Sequence, residues 1–469
     1  MSLKTYEIPY FIGLDQSGSE NRLAASYSPD AVNMETEGGT LSVAKGYTKH
    51  DSATLPGTGR IDLLTSLRTD EGDMPVAITE GKVYALIDGS WRLKHTYAAP
   101  ISANYDTAMV RIASTDYLVI ADGMHNMLKF DGETAAPFGS EEGGSNVPCA
   151  YLTVYRGRLF AAGEAANPDR IYYSCLPGSG RTVEDWGYVE ASPAVEGGHA
   201  EVGSVGGDPI VAIRALSNQL LIFKKYSLYR LIGDRPGNFT IEHIDANVPR
   251  TRHTAIAQHG DVLYFLTERG LYLYNGVTAR PCPDMRLVKR LMANSNAAKS
   301  RAATVGDRLY FTLRSGEGDE VLIYDTAERK YMLRNGFKVS DLAVIDGKPM
   351  LLNDRRCLYI FEEGASYDGE PINAHWTTPL TDLSDKAAIK APRVLFLRGT
   401  GGTVKVELEL DGVLSAYRVR LPKDGNGVRE LPLFGSGRTM RLRFSNEEGG
   451  SFALEAGAQL EFSARKRTE

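Results

Sequence analysis

Gln258-His259-Gly260-Asp261-Val262-Leu263-Tyr264-Phe265-Leu266-Thr267-Glu268-Arg269-Gly270-Leu271-Tyr272-Leu273-Tyr274-Asn275-Gly276 reads as two short strands joined by a tight turn. Residues 262–266 are β-branched, aromatic or aliphatic and follow Gly-Asp, while Glu268-Arg269-Gly270 supplies a turn whose glycine is free to take positive φ. The second strand, 271–274, stops at Asn275-Gly276. A single hairpin with this much apolar surface is not stable alone in water, so it needs neighbours of its own kind.

The chain supplies them. The same order of polar turn, apolar strand, tight turn and Leu-Tyr or Ile-Tyr strand returns at 83–87 with Trp91, 117–120 with 127–130, and 158–161 with 170–174. It returns again at 219–223 with 227–231, 308–311 with 321–325, and 350–352 with 357–361. Apart from a shorter first step and a longer one near 174–210, the spacing is about 40 residues, that of a four-stranded propeller blade. Less apolar segments such as 330–333 and 239–244 are the expected outer strands. The pattern predicts an all-β chain containing a β-propeller of six to eight blades over 51–368; the hairpins of several separate sandwiches are the alternative.

Residues 1–50 form an entry segment with an apolar strand at 8–13, a turn at Ser28-Pro29, and a strand at 40–44 after Gly38-Gly39. It is expected to close or brace the propeller, with 40–44 completing the last blade near residue 350. After 363–371 the pattern becomes plain alternation, as in Val404-Lys405-Val406-Glu407-Leu408-Glu409-Leu410 and Thr439-Met440-Arg441-Leu442-Arg443-Phe444. Period two with one charged face marks half-buried antiparallel strands, so 369–469 is expected to be a small β-sandwich. Only 285–300 reads as a helix.

Bulk properties agree with this outline. The 469 residues exceed one ordinary compact core, and 48 glycines with 24 tyrosines suit many tight turns between strands. The net charge of -6 does not mark the whole chain as a nucleic-acid binder. Its distribution is uneven, since the residues past 370 carry 15 basic and 12 acidic side chains. Cys149, Cys175, Cys282 and Cys357 lack metal-knuckle spacing and read as buried thiols. The start has no apolar leader and no run is long enough to span a membrane, so synthesis in the cytoplasm is expected.

Ser28-Pro29-Asp30-Ala31-Val32-Asn33-Met34, Gly39 with Leu41, and Lys45-Gly46-Tyr47 resemble the opening motif of phage propeller proteins at the portal and tail. Together with the strand pair 219–231 and the alternating C-terminal region, the layout is similar to the packaged-DNA stabilisation, or tail nozzle, proteins of short-tailed phages over nearly the whole chain. Lys45 stands where that family often has arginine, which keeps the charge but gives up forked donation. The resemblance implies a non-enzymatic head-completion protein of the virion, forming a ring, usually a hexamer, below the portal and adaptor. It implies retention of packaged DNA and a share in the ejection conduit, with the tail needle, spike or fibre proteins as further partners. Double-stranded DNA would pass without sequence-specific binding.

Catalytic patterns are sparse. Asp88-Gly89-Ser90-Trp91 lacks the residues that precede it in a sialidase box and reads as a turn with an aromatic anchor. There is no nucleophile elbow, zinc-binding HExxH or phosphate loop, and no cofactor or metal is expected. His253 and His259 read as loop or satisfied core residues, and Glu141-Glu142, Glu362-Glu363 and Glu447-Glu448 as solvated turns beside glycines. Two basic groups, Arg250 with Arg252 and the run Arg465, Lys466 and Arg467, are candidate interface residues for an acidic patch on a neighbouring protein. The rival reading is a glycan-binding or glycan-cleaving propeller, for which three tryptophans are a meagre supply.

Overall fold

The quoted hairpin forms as strands Val262–Thr267 and Gly270–Tyr274, in register from Thr267 opposite Gly270 to Leu263 opposite Tyr274, with Gly270 at φ 122°. Leu263, Phe265, Leu266, Leu271 and Tyr274 are buried. Thr251–His259 and Ala279–Pro281 pair on its two sides and complete a four-stranded antiparallel sheet. The computed structural model describes residues 3–139, 147–178, 180–187, 194–204, 206–245, 247–282, 300–315, 318–425 and 427–466.

Among the described residues seven sheets have this four-stranded form. Their first strands by blade, Ile61–Thr69, Asp106–Ile112, Tyr151–Tyr155, Ile210–Leu216, Thr251–His259, Ala302–Val305 and Asp341–Ile345, touch one another in ring order and the last touches the first. The propeller therefore has seven blades with these strands innermost. The region 283–299, which holds nearly all of the expected helix, lies outside the described residues. Among the described residues the helices are two three-residue 3-10 turns, and no helix is long and apolar enough to cross a membrane.

Ring closure differs from the sequence expectation by one strand. The outer strand of the seventh blade is Tyr47–Thr54, paired with Cys357–Phe361, and not 40–44. Thr40–Val43 pairs instead with Met34–Glu37 and with Ala453 and Leu454 of the C-terminal region. The chain passes from one domain to the other at Gly46, where a Cβ would stand 2.0 Å from the Ser366 carbonyl oxygen; only glycine allows that approach.

The sandwich draws on both ends of the chain. One sheet runs in the order Met34–Glu37, Thr40–Val43, Phe452–Lys466, Ala388–Gly401, Val428–Pro432, with Leu3–Ile8 also paired on Phe452–Lys466. The other runs Asp30–Val32, His375–Thr377, Met440–Asn446, Thr403–Leu410, Val413–Arg420. The entry segment thus covers strand edges that residues 369–469 would leave open on their own. It also covers the outer strand of blade six, Lys330–Arg334: Leu14 N donates to Tyr331 O at 2.9 Å and Asn33 N to Leu333 O at 2.8 Å. One continuous apolar core runs from Leu322 of blade six through Phe11 and Trp376 to Leu460 of the sandwich.

Polar groups fix this junction. Ser28 Oγ donates to Thr377 O at 2.7 Å. Asn33, at φ 55°, donates from its amide to Asn373 O at 2.8 Å and Asn335 O at 3.1 Å, and its Oδ1 accepts from Tyr367 Oη at 3.0 Å and Asn335 N at 2.9 Å. A short polar side chain that tolerates the left-handed region serves both needs. Beside it, Arg334 is fully buried and donates to Glu35 at 2.8 Å, Glu362 at 2.9 Å and Met34 O at 2.9 Å. Arg308 reaches the same two carboxylates at 3.1 Å and 3.0 Å. Glu362 is accordingly not the solvated turn residue expected from its glycine neighbour. Burial alone would push its carboxyl up, but Arg334 and Arg308 outweigh that and hold it below the usual carboxylate range.

Removing one member of such a buried set strands the others without compensation. Arg334→Met is expected to lower unfolding free energy by about 3–5 kcal/mol in urea titrations at neutral pH. A loss under about 1 kcal/mol would show that the cluster is solvated in solution.

Candidate functional site at the propeller mouth

Each blade is an antiparallel meander of four strands, so its last strand ends at the face where its first began. The connections into the inner strands therefore collect at one mouth of the ring. Here Thr58 to Ile61, Ala103, Asn104, Arg252 to Thr254, Arg301, Val339 and Ser340 line a cavity of about 700 Å³ together with Arg314, Asp319, Lys338, Asp354 and Arg356.

Most of its cations are held in place. Arg60 donates to Asp62 at 2.9 Å and to Ala103 O at 2.6 Å. Arg301 donates to Asp341 at 2.6 Å and to the Asp62 carbonyl. Arg314 pairs with Asp319 at 3.0 Å and donates to Ser340 O at 2.9 Å. Arg356 spends its guanidinium on the carbonyls of Leu55, Pro56 and Gly59 at 2.6–2.8 Å. Among the described residues, half-buried Arg252 and exposed Lys338 make no hydrogen bond or ion pair. Burial, with Arg250, Arg301 and Arg60 nearby, pushes the Arg252 guanidinium below its ordinary value. It remains charged at neutral pH.

Below the mouth the axis is crossed by side chains. Arg214 of blade four reaches Asp106 of blade two at 3.1 Å and His253 O of blade five at 2.6 Å, and Asp106 also accepts Leu152 N of blade three at 3.0 Å. His253 Nε2 lies 3.0 Å from Tyr105 O, so this nitrogen carries the proton and links blades five and two across the ring. These contacts bridge the propeller's own channel, beside a second cavity of about 240 Å³ that shares His253, Thr254 and Arg301 with the first.

The sequence-expected interface residues separate into two places. Arg250 is exposed just before the inner strand of blade five, and Arg252 enters the mouth wall. Arg465 is exposed on the sandwich strand Phe452–Lys466, opposite Ile389. The Lys466 backbone pairs with Ala388, and Arg467 lies outside the described residues. His253 is a satisfied core residue, whereas His259 is partly exposed and pairs with Asp307 at 3.0 Å. Asp88 and Gly89 form the expected turn, both at positive φ, with Trp91 buried behind them. None of the four cysteines forms a disulfide, and all are buried. Arg60, Arg301, Arg314, Lys338 and Arg356 were not legible as a set. Arg60 and Arg301 do stand immediately before Ile61–Thr69 and Ala302–Val305, a signal that phasing the repeat on its inner strands would expose.

No protein-family model and no curated protein matches the sequence. Solved structures with similar architecture include PorZ, a surface component of the type-IX secretion system of Porphyromonas gingivalis. It is 14% identical with a TM-score of 0.37, and the match covers 81% of this chain and 46% of that one, so this chain spans under half of PorZ. A Bacteroides fragilis protein described as exported is 11% identical with a TM-score of 0.31, covering 55% and 86%. The extracellular domain of a one-component system from B. thetaiotaomicron is 9% identical with a TM-score of 0.44, covering 90% and 63%. Likenesses this distant carry no functional inference.

Burial pushes His253 down to about 4, against its ordinary 6.5, with Arg214 and Arg301 adding to the effect and Asp106 opposing it. The unfolded chain therefore takes up a proton between these values that the folded chain refuses. Stability through this residue is complete above the unfolded value, falls as pH drops from about 6.5 towards 4, and levels off below. Going from pH 7 to pH 5 should cost the wild type about 2 kcal/mol more than it costs His253→Gln in urea unfolding. Equal losses would show that the ring opens at His253 in solution.

Proposed function

We propose that this chain is a structural component of a phage particle: a ring-forming nozzle or head-completion protein below the portal and adaptor that retains packaged DNA and forms part of its exit path. The observation that carries the reading is where the resembling motif falls. Ser28, Ala31, Asn33, Met34, Leu41, Gly46 and Tyr47 are the residues that seat the entry segment between propeller and sandwich, and each is buried. The shared motif is thus the fastening of a shared two-domain layout, which makes chance matching of short glycine and serine patterns a poorer account of it.

On this reading the conduit lies between copies of the chain, because the axis within one propeller is bridged by His253 and Tyr105. Surfaces available for such contacts include exposed Arg250 and Arg465 and the open sandwich edge, where Val413, Leu414 and Phe434 are about two-thirds or more exposed. The glycan reading calls for a pocket with aromatic platforms, and the described lining of the mouth contains no tyrosine, tryptophan or phenylalanine.

Crosslinking mass spectrometry on particles from a producing lysate tests the proposal. The expected result is crosslinks to portal or adaptor subunits and between copies of this chain. Absence from particles, or crosslinks confined to fibre tips, would overturn it.

A further inference from the structure

The mouth cavity presents six cationic side chains, Arg60, Arg252, Arg301, Arg314, Lys338 and Arg356, against two acidic ones, Asp319 and Asp354. Asp319 is already committed to Arg314. Four of the cations are anchored by the bonds given above, so the wall keeps its positive groups in fixed positions before anything enters. Asp62, Asp341 and Asp319 offset Arg60, Arg301 and Arg314, so the positive surplus rests on Arg252, Lys338 and Arg356, the last held by carbonyls. Arg252 and Lys338, which have no partner among the described residues, are left to engage whatever occupies the cavity.

We infer that the cavity is a binding site for a small multivalent oxyanion, a polyphosphate or polycarboxylate, gripped by Arg252 and Lys338 against the anchored arginines. Three features select this chemistry. The volume of about 700 Å³ lies within the range of small-molecule sites, roughly 300–1,000 Å³. The wall offers guanidinium forks, which match the paired oxygens of phosphates and carboxylates. Its lack of tyrosine, tryptophan and phenylalanine removes the aromatic platforms on which a sugar would stack. The His253–Tyr105 bridge crosses the axis beneath the site, and Arg301 of blade six is held there by Asp341 and the Asp62 carbonyl. This site does not depend on the virion reading, since a free copy of the chain possesses the complete cavity.

Isothermal titration of the full chain with tripolyphosphate and with citrate, at low salt and neutral pH, tests the inference. Saturable binding of one equivalent in the micromolar range is expected for at least one of them. Arg252→Ala and Lys338→Ala should each weaken it about tenfold, in keeping with loss of one charge-assisted contact. Lys338 is exposed, so its variant tests the site even if Arg252→Ala were to fold poorly. Arg68→Ala serves as the control, because Arg68 is 78% exposed at the far end of the first inner strand and should leave affinity unchanged. The inference falls if neither anion binds saturably, if the Arg252→Ala/Lys338→Ala double variant binds as the wild type does, or if Arg68→Ala weakens binding equally. It also falls if a hexaglutamate peptide binds more tightly than both anions, which would assign the cavity to an acidic loop of a partner protein.

Discussion

Four side chains from four distant points of the sequence, Glu35, Arg308, Arg334 and Glu362, meet in one buried cluster of balanced charge. Such a cluster is poor as a net source of stability, because desolvating four ions offsets most of their attraction. Its value lies in specificity. An apolar junction would tolerate slippage of the entry segment along blade six, whereas two carboxylates and two guanidiniums match in one register. Asn33 adds a second lock, with three of its four bonds to backbone atoms and the fourth to the Tyr367 hydroxyl.

Much of the molecule is conditional on that register. With residues 30–43 fixed, Gly46 turns the chain over the Ser366 carbonyl and delivers Tyr47–Thr54 to the seventh blade, which closes the ring. The same placement puts Leu3–Ile8, Asp30–Val32 and Met34–Val43 onto both sandwich sheets. Propeller and sandwich are therefore completed by one segment, and the two share a core. These pairings span nearly the full length of the chain, an arrangement that delays folding until the C-terminal region is available.

The hairpin grammar was legible because turn chemistry and period-two apolar runs are local. Asp88-Gly89 and Glu268-Arg269-Gly270 specify their turns with no help from the rest of the chain. Strand partners were not local. Residues 40–44 read as a strand after a glycine turn, whereas 47–54 is mostly polar and gave no such signal; alternation says which face is buried but not which edge is met. Glu362 resembled a solvated turn residue because glycine follows two positions later, and its ion partners lie 28 and 54 positions away. Apart from Arg252, the mouth cations were hidden for the same reason: they come from separate loops and strand ends, and only closure of the ring turns them into a wall.

A junction of this kind makes the two domains one cooperative unit. Differential scanning calorimetry of the full chain tests that claim most directly. The account predicts a single heat-absorption peak whose calorimetric and van't Hoff enthalpies agree. Two resolved peaks, one for the propeller and one for the sandwich, would contradict it.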